Sequence, residues 1–287
     1  MGIFRSMKIV FGTLIGFALI VACDEVEQMI ADELPDVGIE VPDVDIDLPG
    51  GDGDKDNGVG SGGSSGPSGN SSGVSSIGAA RALPSDTPSL SQAQSAGTVR
   101  ISSGSTVFVA GYRQVSGNNQ NPLIARYDNG NLTWSRVNYE TGTPDARAYG
   151  LLFDPSSNKL YAIFSVDGGQ SGSSGFERFT GKGWLRGYGT GGGPKVAVVA
   201  QINPSTGAPI GGTFVTAQLS NGKTNSVQVT GISLSGGNLI LKANSWYSPR
   251  KTNGSPFSCT GSSPFSYSLT LSGDLSRALS ASAPGCQ

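Results

Sequence analysis

Ser103-Gly104-Ser105-Thr106-Val107-Phe108-Val109-Ala110-Gly111 decides the fold, because a polar turn opens there directly into an apolar run too short for a helix. Two later stretches repeat the pattern. Ser156-Ser157-Asn158 leads into Leu160-Tyr161-Ala162-Ile163-Phe164, and Ser235-Gly236-Gly237-Asn238 leads into Leu239-Ile240-Leu241-Lys242-Ala243. Strand-like segments over 97–102, 148–154 and 227–234 come before these turns, so each run reads as the second arm of a hairpin. Third strands follow over 122–128, 194–203 and 264–271. Each ends in a turn, Asp128-Asn129-Gly130-Asn131, Asn203-Pro204-Ser205-Thr206-Gly207 or Ser272-Gly273-Asp274, which leads to a fourth strand.

The expected fold is all-β over residues 96–287: three repeated four-stranded antiparallel units, propeller-like, with a β-sandwich as the alternative. The second-strand runs begin at 107, 160 and 239, which leaves the middle unit with an insertion around 168–193. Closed propellers have about four to eight blades, so three units leave open a second copy of the chain that completes a ring, a sandwich, or an irregular small propeller. The strand ending Ala110-Gly111-Tyr112, followed by a strand with a turn of the Asp-x-x-Gly type, resembles bacterial β-propeller repeats of the SBBP type.

Upstream, Arg5 and Lys8 precede an apolar segment over 9–22, the pattern of a secretory signal. As a helix it would rise only about 21 Å, short of the ~30 Å hydrocarbon core, so it reads as a cleaved leader. Ile20-Val21-Ala22-Cys23 resembles the lipobox of bacterial lipoproteins. That resemblance implies a signal peptide over 1–22, acyl chains on Cys23 as a membrane anchor, and a place in the bacterial cell envelope, with the inner and outer membranes both open.

Residues 23–95 read as a disordered tether, acidic at first and Gly/Ser-rich after about residue 58. Between residues 24 and 56 thirteen acidic residues stand against Lys55 alone, whereas residues 96–287 carry fifteen Lys and Arg against seven Asp and Glu. A basic domain on an acidic leash would suit an envelope protein or an acidic polysaccharide. No nucleic-acid-binding module is visible. Asp52, Asp54 and Asp56 have the one-three-five spacing of a calcium loop. Asn57 stands where its glycine belongs and Gly63 where its bidentate Glu belongs, so the loop is incomplete.

The chain has no histidine, which excludes Ser-His-Asp and Cys-His nucleophiles and removes the usual zinc ligand. With Cys23 as anchor, Cys259 and Cys286 remain as a pair that an oxidising compartment would join. Trp184 and Tyr188 lie in Gly-rich sequence and are the aromatics expected at the surface, with Arg178, Lys182 and Arg186 beside them for an acidic glycan or partner. The functional expectation is a non-enzymatic, lipid-anchored binding protein. The alternative is a polysaccharide hydrolase using paired carboxylates among Glu140, Asp145, Asp167 and Glu177.

Overall fold

The computed structural model describes residues 73–287. The leader, Cys23 and the Asp52, Asp54, Asp56 triplet lie outside the described residues. The fold is all-β, with four antiparallel sheets.

The first sheet joins β2 (Val99–Ser103), β3 (Thr106–Ser116), β4 (Asn119–Asp128) and β5 (Asn131–Arg136), in that order. Asn129 and Gly130 both take positive φ, 51° and 80°, between β4 and β5. That conformation gives a two-residue hairpin turn the twist its strands need. The second sheet is β1 (Val74–Ile77), β6 (Ala146–Asp154), β7 (Lys159–Val166), β8 (Val196–Ile202) and β9 (Pro209–Val215). A small sheet orders β11 (Thr224–Asn225), β10 (Ala217–Gln218) and β14 (Ser248–Pro249). The last contains β12 (Val227–Ser235), β13 (Asn238–Ser245), β15 (Phe265–Leu271) and β16 (Ala278–Ser282).

Residue patterning sets the layering. Leu160, Ala162 and Phe164 of β7 pack with Phe108, Ala110 and Ile124 of the first sheet, while Tyr161 and Ile163 pack with Leu239, Leu241 and Tyr267 of the last. An unbroken apolar run is what a strand covered on both faces requires, so the second sheet is the middle layer. In β12 the pattern alternates: Val227, Val229, Ile232 and Leu234 face inward, and Gln228 and Thr230 are exposed. That sheet has one wet face. The run Val107-Phe108-Val109-Ala110 also lacks polar breaks, and its second face is covered by residues that the sequence assigned to the tether.

That cover corrects the expected boundary. Residues 73–95 belong to the folded domain and are not a disordered tether. β1 pairs with β6 from Val74 opposite Phe153 to Ile77 opposite Gly150. Leu83 donates its N–H to the Tyr112 carbonyl at 2.9 Å, and Tyr112 donates to the Arg81 carbonyl at 3.0 Å, so the strap runs on where β2 has no partner for β3. Then α1 (Leu90–Ser95) starts at a capping box in which Ser89 and Gln92 satisfy each other's backbone N–H groups. Leu83 and Ala93 are buried against Val109, Leu123, Ala125 and Tyr127, and the Tyr127 hydroxyl donates to the Pro88 carbonyl at 2.7 Å. The strap's apolar anchors are few and widely spaced among Ser, Pro and Gly, which is why composition makes it look like a linker.

Cys259 and Cys286 form a disulfide across 27 residues, tying the segment after β14 to the C-terminal end beyond β16. Ser258 and Gln287 exchange backbone hydrogen bonds beside it. Closing a loop of this size contributes about 3 to 4 kcal/mol in the chain-entropy account. Reduction should therefore lower Tm by about 10 °C, read by scanning calorimetry with and without reductant.

Carboxylates in the turns act as local caps. Asp128 accepts from Thr106 Oγ1 at 2.7 Å, Thr133 Oγ1 at 2.6 Å and the Arg126 guanidinium. Those hydroxyl bonds and the arginine bring its pKa down to about 2. Asp274 is likewise held at about 2, chiefly by the Ser272 and Ser276 hydrogen bonds. Both groups bind protons less readily folded than unfolded, so their stabilisation is complete above about pH 4 and vanishes as pH falls towards 2. Acid titration of Tm should show this loss. Asp128→Asn should remove about 1 kcal/mol of it, allowing for solvent screening at a partly exposed site.

Candidate ligand-binding cleft

A cleft of about 570 Å³ opens between the middle sheet and the last sheet, with β1 leading into its rim at Gly78–Ala80. Strand β6 supplies Arg147 and Tyr149, the latter at a bulge where the register with β7 shifts between Ala148 and Gly150. Tyr149 is buried, and its hydroxyl accepts the Val229 N–H at 2.9 Å, which ties β6 to β12 across the cleft floor. Burial pushes that phenol's pKa well up, so it stays neutral.

Arg147 donates through Nε to Gln120 and lies 5.2 Å from the centre of the Tyr112 ring. Among the described residues no carboxylate forms an ion pair with it. Lys195, just before β8, is half-exposed and holds Asp167 at 2.8 and 3.0 Å. Trp246 follows β13 and is 39% exposed. It lines both this cleft and a second cavity, of about 230 Å³, that Tyr247, Ser248 and Phe265 also line. Ser165, Asn225, Ser226 and Gln228 add hydrogen-bonding groups. None of the lining residues is acidic.

The residues expected from sequence do not assemble into one surface. Tyr188 is a core residue: it is buried, its hydroxyl donates to the Pro194 carbonyl, and burial raises its pKa to about 12. Trp184 is half-buried, with Nε1 donating to the Thr252 carbonyl at 2.7 Å and its backbone N–H to Leu275. Arg178 spends its guanidinium on the carbonyls of Ser173, Asn138 and Tyr139 and lies 4.4 Å from the Phe179 ring centre. Lys182 and Arg186 are exposed, away from the cleft lining. Gly-rich surroundings suggested an open loop. The glycines instead let backbone segments touch: a Cβ on Gly183 would sit 2.1 Å from the Gly212 carbonyl oxygen, and one on Gly175 would sit 2.0 Å from that of Gln170.

Comparison with protein families gives no matching model, and comparison with curated proteins and with solved structures gives no match.

Sequence reasoning missed Arg147, Lys195 and Trp246 as a group because they come from three strand ends. A readable signal was present in Asn244-Ser245-Trp246, where a large aromatic follows polar residues just past the last buried strand position. Among the carboxylates weighed for hydrolysis, Asp167 is taken by Lys195. Glu177 accepts the Tyr188 N–H at 3.2 Å and lies against Gly187.

Proposed function

We propose that this chain is a lipid-anchored protein of the bacterial cell envelope whose basic, β-propeller-like domain binds an acidic polysaccharide in the cleft between its middle and last sheets. The observation that carries the reading is Arg147, a cation without a carboxylate partner among the described residues, in the same cleft as the exposed face of Trp246. An aromatic face takes the apolar face of a sugar ring, and a guanidinium binds a carboxylate or sulfate with two parallel hydrogen bonds. Ser165, Asn225 and Gln228 supply the neutral donors and acceptors that hydroxyl groups need.

The propeller reading takes the three four-stranded meanders as consecutive blades. Their first strands, β2, β6 and β12, all touch β1, which occupies the inner edge where a propeller has its channel. Both end faces of the arc are finished within one chain, the first by the strap and α1 and the last by polar side chains. An arc of this kind needs no second copy to hide apolar surface, so the chain acts as a monomer.

The disulfide fits an oxidising compartment, in keeping with export and with Cys23 as lipidated residue. Mass measurement of the mature N-terminus tests the anchor: a diacylated or triacylated Cys23 is expected, and an unmodified Cys23 would overturn it. Calorimetric titration tests the ligand class. An acidic polysaccharide should bind with an affinity that falls as salt rises, and its uncharged analogue should bind at least about tenfold more weakly. Equal binding of the two would contradict an acidic ligand.

A further inference from the structure

We propose that Glu140, Asp145, Asn119 and Asn121 form a calcium site where the loop between β5 and β6 meets the start of β4. Among the described residues, five buried side-chain polar atoms have no hydrogen-bond partner. Four are acceptor oxygens, Glu140 Oε2 and Asp145 Oδ1 from the loop between β5 and β6, and Asn119 Oδ1 and Asn121 Oδ1 from the start of β4. The fifth is Arg136 Nε, at the end of β5.

Local bonding links Glu140 to Asn119 through Gly142. Glu140 is fully buried, and its other oxygen, Oε1, accepts the Gly142 N–H. The Gly142 carbonyl takes the Asn119 amide Nδ2–H at 2.8 Å, which commits the nitrogen of that side chain and leaves its oxygen unsatisfied. Asn121 stands two residues along β4 from Asn119 and thus on the same face. The Asp145 backbone is fixed from behind, its carbonyl accepting the Asp167 N–H at 3.1 Å. Burial raises the Glu140 carboxyl to about 7, and the Asp145 charge adds to the shift against the Gly142 bond and Arg178. Arg178 does not close an ion pair with Glu140, because its guanidinium is committed to three backbone carbonyls.

A buried acceptor without a donor costs about 1 to 3 kcal/mol, and four such acceptors outnumber the one unsatisfied donor, Arg136 Nε, so they call for a cation or for bridging water. The donor set selects the cation. It is oxygen throughout, with two carboxylates and two neutral amides, and calcium accepts six to eight such oxygens in loose geometry. Only two negative charges face the ion, which places the affinity near the weak end, about 10⁻⁴ to 10⁻³ M, as in extracellular modules. This site uses none of Asp52, Asp54 and Asp56 and does not depend on the ligand in the cleft.

The test is calorimetric titration of the chelator-treated full chain with calcium, together with Tm in chelator and in millimolar calcium. Calcium should bind and raise Tm. Glu140→Gln keeps the side-chain shape and an oxygen for the Gly142 N–H, so its Tm in chelator should equal that of the wild type. Both Glu140→Gln and Asp145→Asn should weaken calcium at least about tenfold. Joint replacement of Asp52, Asp54 and Asp56 by Asn should leave this binding in place. No calcium uptake at millimolar concentration would overturn the site in favour of bridging water. Uptake that survives Asp145→Asn and disappears in the triple variant would overturn it as well.

Discussion

A chain shortened to begin at residue 96 is expected to lose its cooperative unfolding transition, although it retains every strand from β2 to β16. Removing residues 73–95 strips Leu83 and Ala93 from Val109, Leu123, Ala125 and Tyr127, takes the carbonyl partner from the Tyr127 hydroxyl, and opens the β1 side of β6. Burial of the apolar side chains and the hydrogen bonds to β6 and β3 together contribute on the order of 5 kcal/mol or more. Whole domains are stable by about 5 to 15 kcal/mol, so the loss consumes most of the margin. Far-UV circular dichroism on heating should show a broad, shallow change for the shortened chain and a single sharp step for a chain that includes residue 73. Leu83→Ala isolates one part of the effect and should cost about 2 to 4 kcal/mol in urea unfolding.

Gly183→Ala is the second substitution expected to act strongly. The segment 183–185 runs along the free edge of β9: Phe214 donates its N–H to the Leu185 carbonyl at 3.0 Å, and Leu185 donates to Thr213 Oγ1 at 2.9 Å. This covers an edge strand that would otherwise present unpaired groups to other chains. A methyl at Gly183 would meet the backbone oxygen of Gly212, which no rotamer change can move. Either the segment lifts from β9 or β9 shifts against β8, at about 3 kcal/mol. Urea unfolding should report that loss, and light scattering should report new self-association if the edge is freed. A variant as stable and as monomeric as the wild type would show that the segment does not protect β9.

The three hairpins were readable because each couples a turn signal to an apolar run, and local chemistry decides such pairs. The run Val107-Phe108-Val109-Ala110 also says that both faces of β3 are covered, but it does not say by what. The cover comes from Leu83 and Ala93, two side chains separated by nine polar, Pro or Leu positions, and no periodicity announces them. The same limit applies to the site. Gly-rich composition around Tyr188 suggests exposure, yet close packing of backbone on backbone is the other use of glycine, and only three-dimensional contact separates the two. Arg147, Lys195 and Trp246 are nearly a hundred positions apart in sequence from first to last, and they converge because β6 and β8 begin, and β13 ends, at one mouth.

The central claim is that the cleft holds the ligand and the Gly-rich segment does not. Calorimetric titration of the full chain with an acidic polysaccharide, comparing Arg147→Ala and Trp246→Ala with Lys182→Ala and Arg186→Ala, tests it most directly. Losing a charge-assisted bond or a stacked ring should weaken binding about tenfold or more in the first pair, and the second pair should bind like the wild type. Full affinity in Arg147→Ala and Trp246→Ala, with loss in Lys182→Ala or Arg186→Ala, would contradict it.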